Sequence, residues 1–329
     1  MAPQRTLLFA LFMLISTVAW DRRQAVTFAT LPADRANPEG ITVDDAGNVF
    51  VADFEVKGSP PGHVVAFDRN GKFLRDMAIA GSSNLLLGIA FQQSTGKLLV
   101  IDFGNGQVLR VDPVSGAATP FTVIGPGSGL NGLTFDKAGN VYVSDSFQGA
   151  IFKVPPTGGA ATLWKQDPLL TTTGVPPFGA NGIAFNKAES FLFVANTGND
   201  TIVRIANAGA TGGAADVLTN SINGADGLAI DENDNIWVCA NQADEIVIVD
   251  PTGKAIGKLG DFDGLKKGAP DGLLFPASLV FEGDSVLVTN LSLDLRLFGF
   301  NAVDSQWAAQ VTRHTVARLP KKILTPPAR

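Results

Sequence analysis

Apolar residues in this chain come in short dense runs parted by clusters of Asp, Asn and Gly. The clearest series is VFVADF (49–54), LLVIDF (98–103), VYVSDS (141–146), LFVANT (192–197), IWVCAN (236–241) and VLVTNL (286–291). Each run is rich in β-branched and aromatic residues and bounded by turn formers, so each predicts a strand. A further strand is predicted after at least five of them, at HVVAFD (63–68), QVLRVD (107–112), AIFKVP (150–155), TIVRIA (201–206) and EIVIVD (245–250). Weaker, more polar stretches come next: FLRDMAIA, AATPFTV, AATLWKQ, AADVLTN and AIGKLG. Ahead of each run in the first series stands a pattern x-G-h-x-h, where h is apolar. Its copies are Glu39-Gly-Ile-Thr-Val, Leu87-Gly-Ile-Ala-Phe, Asn131-Gly-Leu-Thr-Phe, Asn181-Gly-Ile-Ala-Phe, Asp226-Gly-Leu-Ala-Ile and, with Ser for Gly, Ala277-Ser-Leu-Val-Phe. The leading positions are 48, 44, 50, 45 and 51 residues apart. A four-strand unit recurring every roughly 40–50 residues is the period of propeller blades. The chain therefore predicts an all-β fold, a six-bladed β-propeller, with no helical period beyond the N-terminus.

A ring left open would expose unpaired strand edges. The sixth repeat has its first strands at 276–281 and 286–291 and a third at HTVARL (314–319), and the tail 321–329 is short and Pro-rich. AVTFATLP (25–32) precedes the first repeat and has no blade of its own. We expect it to be the outer strand of blade six, so that the N-terminal strand closes the ring within a single domain, residues 25–320. Residues 1–20 carry Arg5, an apolar run from Leu7 to Trp20 and small residues at Thr17-Val18-Ala19, the pattern of a secretory signal peptide. That run is too short for a stable membrane span. The expectation is a secreted protein, extracellular or periplasmic. The lone cysteine, Cys239, excludes an internal disulfide and reads as a small core residue. A net charge of −6 with no basic stripe argues against nucleic acid.

In a closed ring, equal positions of the repeat converge on the axis. Glu39, Asn131, Asn181 and Asp226 then meet there, with apolar Leu87 and Ala277 in the other two places. Two carboxylates and two carboxamides form an all-oxygen set, as a hard cation requires. Calcium fits such a set foremost; magnesium and manganese remain open, and zinc would prefer His or Cys.

The repeats PEGITVDDAGNVFVADF, NGLTFDKAGNVYVSDS, NGIAFNKAESFLFVANT and ADGLAIDENDNIWVCAN resemble those of the SMP-30/gluconolactonase/LRE-like family. The resemblance covers roughly residues 30–320. It implies a six-bladed propeller with a divalent cation on the axis and, in many members, lactonase activity. By position it implies Glu39, Asn181 and Asp226 as metal ligands, Asn131 as a fourth ligand or a substrate contact, and Asp226 as the acid/base residue. Sugar-lactone members carry an arginine two residues before the Asn of blade three; here that place is Gly129. Phosphotriesterase and paraoxonase relatives use histidines near the metal; here the two histidines, His63 and His314, lie outside the repeat pattern.

A cation can polarise a carbonyl and acidify bound water, and a base must then take a proton. With histidine scarce, Asp226 is the candidate, as base, as nucleophile or as ligand only. Loops entering the first strand and leaving the second supply Phe54, Phe103, Phe178 and Phe275 as candidate substrate-binding walls, together with Leu87 and Leu293. With no arginine at position 129, an apolar or aromatic lactone or ester is expected rather than a sugar acid. The alternatives are a non-catalytic propeller of the NHL type with a structural metal, and phosphotriesterase or lyase chemistry at the same place. Asp53, Asp102, Asp145, Asn196 and Asn290 recur at the ends of second strands whatever the axial residue, which points to a structural role.

Overall fold

The computed structural model describes residues 25–302 and 304–323. The signal peptide expected at 1–20 and the end of the tail, 324–329, lie outside them. Six four-stranded antiparallel sheets stand around one axis. Blade one is Pro38–Val43, Val49–Asp53, His63–Phe67 and Phe73–Ala78; blade two is Leu86–Gln92, Lys97–Asp102, Gln107–Val111 and Ala118–Val123. Blade three is Leu130–Phe135, Val141–Asp145, Ala150–Val154 and Thr162–Gln166; blade four is Ala180–Phe185, Phe191–Asn196, Thr201–Ala206 and Ala215–Thr219. Blade five is Ala225–Ile230, Ile236–Ala240, Glu245–Val249 and Ala255–Leu259. Blade six takes Pro276–Glu282, Ser285–Asn290 and Thr315–Pro320 from the end of the chain and Val26–Thr30 from its beginning. That outer strand pairs antiparallel, from Val26 opposite Arg318 to Thr30 opposite Thr315. The inner strands touch in chain order around the axis, and the sixth touches the first.

Blades stack face to face, so the middle strands are covered on both sides. Val49–Asp53, Val141–Asp145 and Ile236–Ala240 are buried along their whole length. This is why their sequences read as unbroken apolar runs rather than as alternation. Outer strands such as Phe73–Ala78 face solvent and carry the weaker signal. Apolar side chains from adjacent blades form a cluster at each of the six interfaces among the described residues. Each fully buried Val, Leu, Ile or Phe there stabilises the ring by about 1.5–3 kcal/mol. Aromatic pairs bridge blades: Tyr142 meets Phe185 edge-on at 4.8 Å, and Trp237 meets Phe281 at 5.5 Å.

The Asp-rich turns between first and second strands close on themselves. Asp44 Oδ1 accepts the N–H groups of Ala46 and Asn48, and Asn48 Nδ2 donates to Asp44 Oδ2 at 2.8 Å. The recurring residues at second-strand ends pin the loop that enters their own blade. Asp145 accepts the N–H of Gly129 at 2.9 Å, and Asn290 accepts that of Leu274 at 3.0 Å. Asp53 differs: neither carboxylate oxygen has a hydrogen-bond partner, and burial pushes its carboxyl well up.

Two segments expected as plain loops are partly ordered. Residues 262–276 contain a hairpin, Phe262–Lys266 with Ala269–Gly272. Its turn residues Lys267 and Gly268 both have positive φ, 53° and 81°, the geometry that matches strand twist. The segment after Asn290 holds a 3₁₀ turn, Leu295–Phe298, and a single-turn helix, Ser305–Ala308. Among the described residues no helix is long and apolar enough to cross a membrane.

Candidate axial site

Every inner strand breaks register at the same place. Between Pro38 and Ile41, Leu86 and Ile89, Leu130 and Leu133, Ala180 and Ile183, Ala225 and Leu228, and Pro276 and Leu279, two residues face one on the neighbouring strand. Such a bulge re-aims the first of its two side chains. Those first residues are Glu39, Leu87, Asn131, Asn181, Asp226 and Ala277, the leading positions of the sequence repeat. The glycine that follows has a steric cause. A Cβ on Gly40 would lie 2.3 Å from the carbonyl oxygen of Leu87, and one on Gly182 would lie 2.5 Å from that of Asp226. In blades one to five the bulge therefore seats its glycine against the axial residue of the next blade, and blade six has Ser278 there. In blades three and six a hydroxyl opposite the bulge adds a tie. Ser144 Oγ donates to the Asn181 carbonyl, and Thr289 Oγ1 donates to the Glu39 carbonyl, both at 2.6 Å. Cys239 stands opposite the bulge of Asp226 and is fully buried, as a core residue.

Above the ring lies a cavity of about 40 Å³. It is bordered by Glu39, Asn131, Asn181 and Asp226 and by the apolar Phe54, Leu87, Phe178, Phe275 and Leu293. Below the ring the axial channel continues as a space of about 120 Å³ bordered by the bulge glycines and the residues after them. Asn181 Nδ2 donates to Thr197 Oγ1 at 2.9 Å, Asn131 Nδ2 to Ser146 Oγ at 3.4 Å, and Asn241 Nδ2 to Asp226 Oδ2 at 3.0 Å. Of the described residues that border the cavity, three buried side-chain oxygens find no partner: Glu39 Oε2, Asp226 Oδ1 and Asn241 Oδ1. Leaving buried acceptors unmet is costly, and a hard cation is what such oxygens can hold. Burial and the neighbouring Asp226 push the Glu39 carboxyl well up. Burial raises Asp226 to about 7, against the hydrogen bond from Asn241 that favours its anion. Among the described residues no three His, Cys, Asp or Glu side chains cluster as a metal centre. The donor set is instead two carboxylates with carboxamides.

The fold thus brings together all four axial residues and most of the expected walls. Phe103 stands one layer back, edge-on to Phe54 at 6.0 Å, and does not border the cavity. The two histidines are elsewhere. His63 Nδ1 lies 2.8 Å from Asp76, and His314 Nδ1 accepts the N–H of Asn37. Burial lowers His314 to about 4, so it is neutral at physiological pH. Sequence reasoning missed Ser146, Thr197 and Asn241, which hold the axial side chains of blades three, four and five. A signal was present. Each lies 15 or 16 residues after its axial partner, just past the second strand, and at that place blades one, two and six carry Phe54, Phe103 and Leu291, 15, 16 and 14 residues on.

A family profile described as the SMP-30/Gluconolactonase/LRE-like region matches residues 80–260, more than half of the chain. The chain belongs to the SMP-30/gluconolactonase/LRE-like family. It is 27% identical over 180 residues to the Arabidopsis thaliana protein strictosidine synthase-like 13, a match spanning 50% of this chain and 44% of that one. The chain spans about half the length of the curated relatives it matches. The calcium-binding protein regucalcin from Agrobacterium tumefaciens has the same fold, with a TM-score of 0.64 at 16% identity over 92% of this chain and 98% of that one. A gluconolactonase from Xanthomonas campestris superposes with a TM-score of 0.62 at 15% identity over 90% and 89%. Family membership and propeller fold thus agree, and the axial ring sits where the six repeats of this chain meet.

Proposed function

We propose that this family member is a secreted, metal-dependent hydrolase of lactones or related esters. The observation that carries the reading is the unpartnered pair Glu39 Oε2 and Asp226 Oδ1 in a cavity whose other lining combines amide and hydroxyl side chains with apolar walls. Glu39, Asn131, Asn181 and Asp226 would hold one divalent cation, calcium foremost; when bound it supplies a Lewis acid for the carbonyl oxygen and for water. Two anionic ligands balance the charge of such an ion. Asn241 donates to Asp226 Oδ2 and Oδ1 has no partner, so Oδ1 would be the oxygen that accepts a proton from water. The water oxygen bonds to the carbonyl carbon while Asp226 takes its proton, the ring C–O bond breaks, and the proton held by Asp226 passes to the leaving alkoxide, giving a hydroxy acid and restoring the carboxylate. The regucalcin and gluconolactonase likenesses support a cation and a small-molecule substrate.

The small volume of the cavity favours a second reading, a non-catalytic propeller with a structural cation. Metal analysis together with a panel of lactones and aryl esters separates the two. Turnover lost to a chelator and restored by calcium supports the hydrolase. Retained metal with no turnover across the panel supports the second reading.

A further inference from the structure

Four phenylalanines flank one side of the cavity mouth. Phe54 and Phe178 border the cavity, and Phe103 touches both at centroid distances of 6.0 and 6.2 Å. Phe147 continues the strip outward. Its ring stacks on Phe178 at 5.8 Å with 28° between planes and meets Phe103 edge-on at 5.7 Å. Phe147 is 51% exposed, so the strip runs from the axial oxygens to solvent. Its outer ring is held in place. The N–H groups of Phe147 and Gly129 both donate to Asp145 Oδ1, and the Ser146 N–H donates to the Gly129 carbonyl at 2.8 Å. A Cβ on Gly129 would lie 2.6 Å from Cγ of Phe147. The ring thus fills the space above a residue with no side chain.

Two facts about the cavity limit what it can receive. At about 40 Å³ it admits a carbonyl group but not a whole ring system, so most of a substrate must rest outside the mouth. Among the described residues no Lys, Arg or His borders it, so no side chain there supplies a positive charge to an anionic group. A polyhydroxylated ring on the strip would lay its hydroxyls against phenyl faces without partners, whereas a flat apolar ring would stack. Resting on the hydrolase reading above, we propose that Phe147 and Phe178 form an open aromatic platform for an aryl-fused or aryl-substituted lactone, whose carbonyl reaches into the axial cavity. Gly129 is the residue that permits the platform.

The test compares dihydrocoumarin, an aryl-fused lactone, with δ-valerolactone, which has the lactone ring alone. Phe147→Ala and Gly129→Ala should each lower kcat/KM for dihydrocoumarin roughly tenfold or more, through KM, and change that for δ-valerolactone less than about twofold. Gly129→Ala matters because it displaces the Phe147 ring without deleting it. Equal losses on both substrates, or none on dihydrocoumarin, would overturn the platform. If the wild type hydrolyses neither lactone, the hydrolase reading fails and the platform is judged by equilibrium binding of coumarin. Binding weakened about tenfold in Phe147→Ala keeps the platform; equal binding in both proteins, or none in either, removes it.

Discussion

The four polar residues on the axis are not equivalent. Asp226 has Asn241 on one oxygen, whereas Glu39 keeps Oε2 without a partner. Removing either negative charge at constant shape should weaken cation binding, because ligand charge tunes affinity. Glu39→Gln and Asp226→Asn are each expected to raise the calcium Kd by calorimetric titration, whereas Leu87→Ala, at the equal place in blade two, should leave it unchanged. Metal lost by Leu87→Ala and kept by Glu39→Gln would refute the axial assignment. Asn241→Ala frees Asp226 Oδ2 and should cost about 10–100-fold in affinity, as loss of a partner behind a ligand commonly does. If Asp226 also takes the proton, Asp226→Asn stays inactive at saturating calcium, while the defect of Asn181→Ala is at least partly rescued there. His63→Ala and His314→Ala should retain turnover, since neither histidine borders the cavity. Inactivity of His314→Ala with normal metal content would show that the carboxylate mechanism is mistaken.

At the scale of the element, the bulge in each inner strand joins side-chain aim to blade spacing. Gly182→Ala puts a methyl 2.5 Å from a backbone oxygen of blade five, so the blades must part or the bulge must shift. The expected loss of stability is about 1–3 kcal/mol, visible as a lower urea midpoint. Ser278→Ala is the control, because blade six already accommodates a Cβ at that place, and it should cost clearly less. Closure makes a second test. Val26–Thr30 covers the free edge of Thr315–Pro320 and carries Phe28 and Ala29 into the interface with blade one. Deleting residues 1–20 should leave a cooperative melt, and deleting residues 1–32 should abolish it. An undiminished melt after the longer deletion would mean that the ring does not depend on this strand.

For the whole molecule, the buried carboxylates of the axis should make stability depend on pH, and on the proposed cation with it. Burial raises Asp226 from 3.8 to about 7 in the folded protein, so folding without a cation favours its protonated form. The penalty for the charged form is absent at low pH, grows as pH rises through the interval between those values, and is complete above about 7. Cation-free protein should therefore lose stability across that interval. A bound cation favours the carboxylates instead, and a hundredfold excess over Kd adds about 3 kcal/mol. The rise in Tm on adding calcium should be larger at pH 8 than at pH 5.5, and nearly absent in the Glu39→Gln, Asp226→Asn double variant. A calcium-induced shift of equal size at both pH values would argue that the ion binds away from the axis.

Blade number, strand order and the identity of the axial residues were legible in the chain itself, because each depends on local pattern repeated six times. Short apolar runs between Asp-Gly-Asn turns define hairpins, and a recurring x-G marks the one position where every inner strand must do the same thing. Why that glycine is required could not be read, since the atom it avoids belongs to the next blade, some 45 residues away. The hairpin at 262–272 was missed because Lys-Gly is a weak turn signal until both residues are seen at positive φ. Only the tertiary structure decided which oxygens on the axis lack partners, because that depends on Ser146, Thr197 and Asn241 packing behind three of the four. It also placed the Phe147 ring over Gly129. A loop side chain takes its direction from the neighbours that hold it, and these come from different blades.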